Sequence, residues 1–171
     1  MQKLIYTGKN LDWIKYENIM ETYISDTIPE NLTPTSVYAF VFKDGKFLMT
    51  DLKKGERPTR ILDISGGHID QGESPEEACT REAFEETGVR VKIKRLAGYS
   101  NLTITCPKPE NYNYPYPTSC MLFYLCEIIN EEDFNGNEDT HGRVWLAPED
   151  FNKSEWCIKN KIFLEEVIKL I

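Results

Sequence analysis

The sequence predicts one compact domain of the α+β or α/β sandwich class, in which a sheet packs against a small number of helices. A chain of 171 residues has room for one hydrophobic core but not for two. Three segments show helical signals, whereas alternating or continuous apolar runs typical of strands dominate the middle of the chain. No internal repeat or low-complexity segment interrupts this pattern.

The first 33 residues are predicted to form a helical extension, with the main domain at residues 34–171. Asn10 is a candidate N-cap for a helix over residues 11–25. Four bulky residues recur along it at helical spacing: Trp13, Tyr16, Met20 and Tyr23. Such a face needs burial against the domain, a substrate pocket or a partner subunit. Homodimers are the commonest soluble oligomers, so we expect a homodimer.

The main domain should begin with a hairpin, because apolar runs at 37–42 and 46–50 flank the turn signal Asp44-Gly45. Further strands are expected at 61–64, 89–105, 120–129 and 144–146, with a break at residues 65–67 and a bend at Gly98. A helix from about Pro75 to Thr87, capped by Ser74 and ended by Gly88, lies between them. A last amphipathic helix is expected over residues 158–171.

Charge and cysteine content limit the expected binding partners and the expected cellular compartment. The formal net charge of −8 gives no bulk attraction to nucleic acid or to an anionic membrane, so a long nucleic acid is not an expected partner. Five cysteines without a CxxC pair favour free thiols in a reducing cytoplasm over a disulfide framework or a zinc site. No apolar run is long enough for a membrane span, and no signal peptide is expected at the N-terminus.

The chemistry-bearing segment is the predicted helix at 75–87. Glu82, Glu85 and Glu86 stand at positions i, i+3 and i+4, so they share one face of the helix. Like charges at this spacing repel one another and destabilise a bare helix. A divalent cation would offset that repulsion, and Mg²⁺ prefers such oxygen ligands. The competing interpretation, a merely solvated acidic face, is the commoner one for glutamates alone.

The flanking residues favour the metal site. The segment from Gly67 to Val89 resembles the Nudix box, the signature of the MutT-like Nudix hydrolases. The pattern is matched by Gly67, Glu73, Arg81, Glu82, Phe84, Glu85, Glu86, Thr87, Gly88 and Val89. Ala83 is the one departure, because it is smaller than the usual aliphatic residue, and it bears on packing rather than on chemistry.

This resemblance implies an α/β/α sandwich around a mixed sheet, with the box as a loop-helix-loop. It also implies metal-dependent hydrolysis of a pyrophosphate bond in a nucleoside diphosphate linked to another group, with Mg²⁺ or Mn²⁺ as cofactor. By position, Glu82, Glu85 and Glu86 would bind metal and supply the base, and the carbonyl of Gly66 would be a backbone ligand. Arg81 and Glu73 would form a supporting ion pair that orients Glu82.

Other candidates have weaker signals. Tyr112, Tyr114 and Tyr116 in the loop at 106–118 are a stacking wall for a base or, as the favoured interpretation, ordinary loop and core aromatics. Three basic residues precede the box, and two interpretations of them are equally open: contact with a substrate phosphate, or a solvated loop. They are Lys53, Arg57 and Arg60. The resemblance also implies one more carboxylate, from the loop shortly before Trp145. His141 and Gly142 occupy the positions where that acid is expected, so Glu138 or Asp139 would have to supply it from a shifted loop. His68 is interpreted as a loop residue rather than a ligand.

Two alternative functions remain open at this point. One is a catalytically weak nucleotide-binding or regulatory module on the same fold, against which the intact set of box charges argues. The other is an isomerase of a small diphosphate, which would need a catalytic cysteine with more histidines than His68 and His141. The resemblance leaves the substrate undecided among ADP-ribose, nucleoside triphosphates, dinucleotide polyphosphates, sugar nucleotides and coenzyme A.

Overall fold

The computed structural model describes residues 2–53 and 61–171. The strands are β1 (Gln2–Lys9), β2 (Asn18–Ser25), β3 (Pro34–Lys43), β4 (Lys46–Leu52), β5 (Ile61–Asp63), β6 (Gly66–His68), β7 (Val89–Ile104), β8 (Thr118–Glu131) and β9 (Thr140–Leu146). Helix α1 (Pro75–Thr87) precedes β7, and a 3₁₀ turn (Pro148–Lys153) leads to α2 (Glu155–Lys159) and α3 (Lys161–Ile168).

The strands form one mixed sheet in the order β1-β2-β7-β8-β3-β4-β5. Strand β6 also pairs with β3, and β9 with β4. The β3–β8 pair is parallel, whereas the other pairs are antiparallel. The Asp44-Gly45 turn joins β3 to β4, with positive φ at both residues as the predicted hairpin requires.

Each face of the sheet carries its own core. Helix α1 buries Ala78, Cys79 and Ala83 against one face, with core residues of β3, β7 and β8. Helices α2 and α3 bury Cys157, Phe163, Leu164 and Val167 against the other, with aromatic residues such as Phe40 and Phe47. The expected α/β/α sandwich with a mixed sheet is therefore confirmed. No helix in the described parts of the chain is long and apolar enough to cross a membrane.

The prediction of an N-terminal helix was wrong, because residues 2–25 form the antiparallel pair β1–β2 and β2 adds to the edge of β7. Asn10 has a φ of 50° and its side chain accepts from the N–H of Asn18 at 3.2 Å, so it closes a turn instead of capping a helix. Tyr23 stacks on Tyr99 of β7 at 5.0 Å between ring centroids. Tyr23 thus packs within the chain, whereas Trp13 stays 57% exposed.

Two smaller expectations also change. A break in the chain was predicted at Ser65-Gly66-Gly67, but both glycines lie in β6, whose backbone pairs with β3. The predicted C-terminal helix is two helices separated at Asn160, and Ile158, Ile162 and Ile171 are exposed where one apolar face was expected. The buried side chains of α3 are instead Phe163, Leu164 and Val167, which meet the aromatic core directly.

Candidate functional site

Helix α1 starts and ends where local signals place it. The Ser74 hydroxyl accepts from the Glu77 N–H, the Glu77 side chain accepts from the Ser74 N–H, and Pro75 opens the first turn. At the other end Gly88 has a φ of 67°, and its N–H donates to the Phe84 carbonyl. Because the apolar side of the helix packs on the sheet, its glutamates face the strand β6 and the loops around it.

Arg81 is the hub of this face. Its guanidinium donates to both carboxylate oxygens of Glu73, from Nε at 2.9 Å and from Nη2 at 3.0 Å. Its Nη1 lies 2.8 Å from Glu82 Oε1 and 3.2 Å from Glu85 Oε2. Nη2 also donates to the His68 carbonyl at 3.1 Å. The expected ion pair between Arg81 and Glu73 is therefore present, and the same cation holds two of the three helical glutamates.

Glu86 has a different environment. Its Oε2 accepts from the Gly66 N–H at 3.0 Å and from the Thr50 hydroxyl at 3.3 Å, both uncharged donors. Burial raises its pKa to about 7, and the hydrogen bond from Gly66 only partly opposes this. Burial also raises the pKa of Glu82, against the lowering effect of Arg81. The Glu85 side chain is 54% exposed, compared with 15% for Glu82.

The glycines of β6 leave the space that these carboxylates occupy. A Cβ on Gly67 would stand 2.4 Å from Glu82 Oε1, so a side chain there would displace the carboxylate. A Cβ on Gly66 would stand 2.1 Å from the Val37 carbonyl, which explains glycine at this position of the β3–β6 pair. The Gly66 N–H faces Glu86, whereas metal binding by its carbonyl stays a prediction.

Two residues of this region were missed from the sequence. Thr50 is fully buried in β4 and donates to Glu86. Tyr38 of β3 is a half-buried ring whose pKa is raised by burial, and the negative charges of Asp63, Glu86 and Glu82 raise it further. The polar Thr50-Asp51 step after the apolar 47–49 run of β4 was the one signal available for Thr50. Tyr38 carried none, because it resembles any other strand aromatic.

The loop between β8 and β9 packs against the end of the same helix. The Asn137 side-chain amide donates to the Glu85 carbonyl at 2.8 Å. The Lys53 N–H donates to the Asp139 carbonyl at 2.8 Å, so Lys53 binds this loop. Arg57 and Arg60 lie outside the described residues. Glu138 and Asp139 are exposed and next in sequence to Asn137, whereas His141 and Gly142 lie in β9. Which of them supplies an acid stays a prediction.

The tyrosine loop reaches the box through His68. The His68 ring stacks on Tyr114 with 5.8 Å between centroids, and its Nε2 lies 3.1 Å from the Tyr114 hydroxyl. The centroid of the Tyr112 ring lies 5.7 Å from that of Tyr114, 6.3 Å from that of Tyr116 and 5.9 Å from that of Tyr16. His68, expected in a loop, is thus on β6, and its ring joins the box to a cluster of tyrosines.

Among residues 2–53 and 61–171, no group of three or more His, Cys, Asp or Glu side chains is arranged so that it could hold a metal ion. Arg81 occupies Glu82 and Glu85, and Glu86 turns to Gly66 and Thr50. The donor chemistry nevertheless suits a hard cation, because all three groups offer carboxylate oxygen. Burial is the main cause of the raised pKa values of Glu82 and Glu86, and a bound cation would favour the charged form of both groups.

A two-glycine strand that faces three helical glutamates, inside a mixed sheet with helices on both sides, defines a Nudix-type fold and box. A family model described as the NUDIX domain matches residues 32–167. The chain belongs to this family. The first 31 residues, including the whole of β1 and β2, lie outside the match.

Individual relatives are more distant. The chain is 28% identical over 87 residues to an 8-oxo-dGTP diphosphatase of Haemophilus influenzae, covering 51% of this chain and 54% of the relative. It is 35% identical over 88 residues to the putative 8-oxo-dGTP diphosphatase YtkD of Bacillus subtilis, covering 51% and 52%. The chain thus spans about half the length of these curated relatives.

A solved structure matches the whole fold. The pyrophosphohydrolase BsRppH of Bacillus subtilis superimposes with a TM-score of 0.69 at 24% sequence identity, covering 97% of this chain and 96% of that one. This likeness is one of fold. Because the superposition covers 97% of this chain, it extends into the two N-terminal strands.

Proposed function

We propose that this protein is a metal-dependent hydrolase that cleaves a pyrophosphate bond in a nucleoside diphosphate linked to another group. The observation that carries the proposal is the carboxylate face of α1, where Arg81 binds Glu73, Glu82 and Glu85 beside the glycines of β6. Membership of the NUDIX domain family supports the same reaction class.

Mg²⁺ or Mn²⁺ is the proposed cofactor, with Glu82, Glu85, Glu86 and the Gly66 carbonyl as its protein ligands. Such an ion neutralises phosphoryl oxygens and makes bound water a better nucleophile. Arg81 and Glu73 fix the position of Glu82 through three charge-assisted hydrogen bonds. Glu86, held by the Gly66 N–H and the Thr50 hydroxyl, is the carboxylate that we assign to accept a proton from that water.

The names of the relatives make a nucleoside triphosphate the first substrate to test, with 8-oxo-dGTP in the panel. We place the protein in the cytoplasm, which its five free cysteines support, four of them buried. A homodimer stays a prediction. The outer strand β1, with exposed Leu4 and Tyr6, is a surface on which it could form.

The test is product release from a panel of nucleoside triphosphates, dinucleotide polyphosphates, sugar nucleotides and ADP-ribose, with Mg²⁺ and then with a chelator. We expect Mg²⁺-dependent release of a nucleoside monophosphate and its phosphorylated partner. Glu85→Gln should reduce turnover at least a hundredfold, because removal of one positioned acid-base group typically costs a factor of about 10²–10⁴. Glu165→Gln on α3, an exposed glutamate 3.8 Å from Lys161, is the matched control and should leave turnover unchanged.

Metal-independent nucleotide binding without cleavage of any compound in the panel would contradict the proposal. That result would favour the nucleotide-binding module instead.

A further inference from the structure

One group of exposed side chains has no part in the chemistry proposed above. It is the aromatic cluster, defined as Tyr16, His68, Tyr112, Tyr114 and Tyr116. Its rings are joined by four contacts of 5.7–6.3 Å between centroids. Tyr114 and Tyr116 remain 45% and 39% exposed despite these contacts. A group of large aromatic rings at a surface is typical of a binding site. The same rings would have more of their area removed from water if they were buried in the core, so their exposure indicates a ligand.

The cluster is held rigid by its polar atoms. The Tyr116 hydroxyl donates to the Cys106 carbonyl at 2.9 Å, across the base of the loop. The Tyr114 hydroxyl pairs with His68, and the Tyr112 hydroxyl with Ser119. Because the hydroxyls of the three loop tyrosines have protein partners, these rings are fixed before a ligand arrives. A preorganised aromatic surface binds a planar group with little loss of side-chain freedom.

The cluster is also continuous with the carboxylate face. His68 stacks on Tyr114 through its ring, while its carbonyl accepts from Arg81 at 3.1 Å. Arg81 in turn contacts Glu82 and Glu85. Strand β6 therefore joins the two surfaces, because its glycines face the carboxylates and its His68 ring stacks on the loop tyrosines. The planar part of a nucleotide is its base, and each of the bases can stack on a tyrosine ring.

We propose that the aromatic cluster is the subsite that stacks the nucleobase of the substrate, with Tyr114 as its central ring. The inference rests on the proposed function for the identity of the ligand. It assigns a binding role to His68 and to the three loop tyrosines, for which ordinary packing was the favoured interpretation from sequence.

The test compares AMP with ribose 5-phosphate, which has the same sugar phosphate but no base. Neither contains a pyrophosphate bond, so binding is measured without turnover, by chemical-shift titration of the full chain. We expect AMP to bind at least about fivefold more tightly than ribose 5-phosphate, since stacking on one aromatic residue contributes about 1–3 kcal/mol. The Tyr114 ring protons should shift upfield with AMP and not with ribose 5-phosphate.

Three variants assign the effect. Tyr114→Leu should remove the difference between the two ligands, whereas Tyr114→Phe keeps the ring and should retain it. Tyr6→Leu replaces an exposed tyrosine on the outer strand β1 and should also retain it. Equal binding of AMP and ribose 5-phosphate to the unmodified chain would overturn the inference, as would an unchanged difference in Tyr114→Leu. Because the ring shifts are read on the unmodified chain, the result does not depend on the folding of a variant.

The two proposals fail separately. A base-dependent difference in a chain that cleaves nothing in the nucleotide panel would reject the hydrolase and keep the stacking subsite. Cleavage of nucleotides by a chain that binds AMP and ribose 5-phosphate equally would do the reverse.

Discussion

The glutamates on the exposed face of α1 fall into two groups, which differ in their contact with Arg81. Glu82 and Glu85 lie within 3.2 Å of the Arg81 guanidinium, together with Glu73. Glu86, one residue further along the helix, accepts from the Gly66 N–H and the Thr50 hydroxyl, and no ion pair of Glu86 lies within residues 2–53 and 61–171. Within the part of the chain that the structure describes, a side-chain cation thus contacts the first group and not the second. The difference indicates that Glu86 is where an added cation should have the largest effect.

The clearest way to break this comparison is Glu86→Gln. The change keeps the size of the side chain and its hydrogen-bonding oxygen but removes the charge. We expect turnover to fall by a factor of about 10²–10⁴. We expect the metal-free protein to be at least as stable as the unmodified chain, because a buried charge without a cation is removed. The measurements are kcat and thermal unfolding with a chelator. A loss of stability with turnover intact would make Glu86 a structural residue.

The pH dependence of stability sharpens the same point. The folded, metal-free chain holds a proton on Glu86 up to about pH 7, whereas the unfolded chain loses it near its ordinary pKa of 4.5. Between these values the folded state binds more protons, so the free energy of unfolding should fall as the pH rises. The loss from this group amounts to at most ~3 kcal/mol.

Urea unfolding of the metal-free chain from pH 4.5 to 7.5 measures this slope. Glu86→Gln should flatten it, whereas Glu165→Gln should leave it unchanged. Saturating Mg²⁺ should restore stability most strongly at the high end of the range, because it binds the ionised carboxylate. An equal slope in the unmodified chain and Glu86→Gln would contradict the assignment.

Arg81→Gln tests the other group. The change leaves Glu73, Glu82 and Glu85 without their shared cation, and Glu82 is only 15% exposed. We expect the metal-free chain to lose ~1–3 kcal/mol of stability, less than for a fully buried pair because the arginine is 26% exposed. Arg81→Lys keeps the charge without the bidentate contact to Glu73 and should lose less. Thermal unfolding of both variants is the measurement, and a stability gain in Arg81→Gln would reverse the comparison.

Local signals predicted the box helix closely, and long-range ones explain what was missed. Ser74, Pro75 and Gly88 each act within a turn of α1, so sequence alone defined the helix ends and which side bears the glutamates. Residues 18–25 became a strand because β7 offers an edge some eighty positions later, which no local window contains. Thr50 and Tyr38 reach the site only through the sheet that brings β3, β4 and β6 together.

The aromatic loop lies between these cases. Its tyrosines were visible as a pattern, but their alternatives could not be separated until the contact between His68 and Tyr114 was known. The sequence also could not predict that Glu82 and Glu85 contact Arg81 whereas Glu86 contacts Gly66. Helical spacing places three glutamates on one face, but the rotamers that take two of them to the guanidinium and one to Gly66 depend on the surrounding strands.

The pairing of β2 with β7 also constrains how the chain reaches its native state. Strand β2 can pair with β1 early, but Ile24 pairs with Gly98 and Asn18 with Ile104, so the other edge of β2 must wait for more than half of the chain before it gains a partner. Non-local pairings of this kind slow folding. During synthesis, β2 has an unpaired edge with Ile19 and Ile24 on it, and such edges recruit other strands. Nascent chains stalled before residue 98 should therefore be prone to associate with one another.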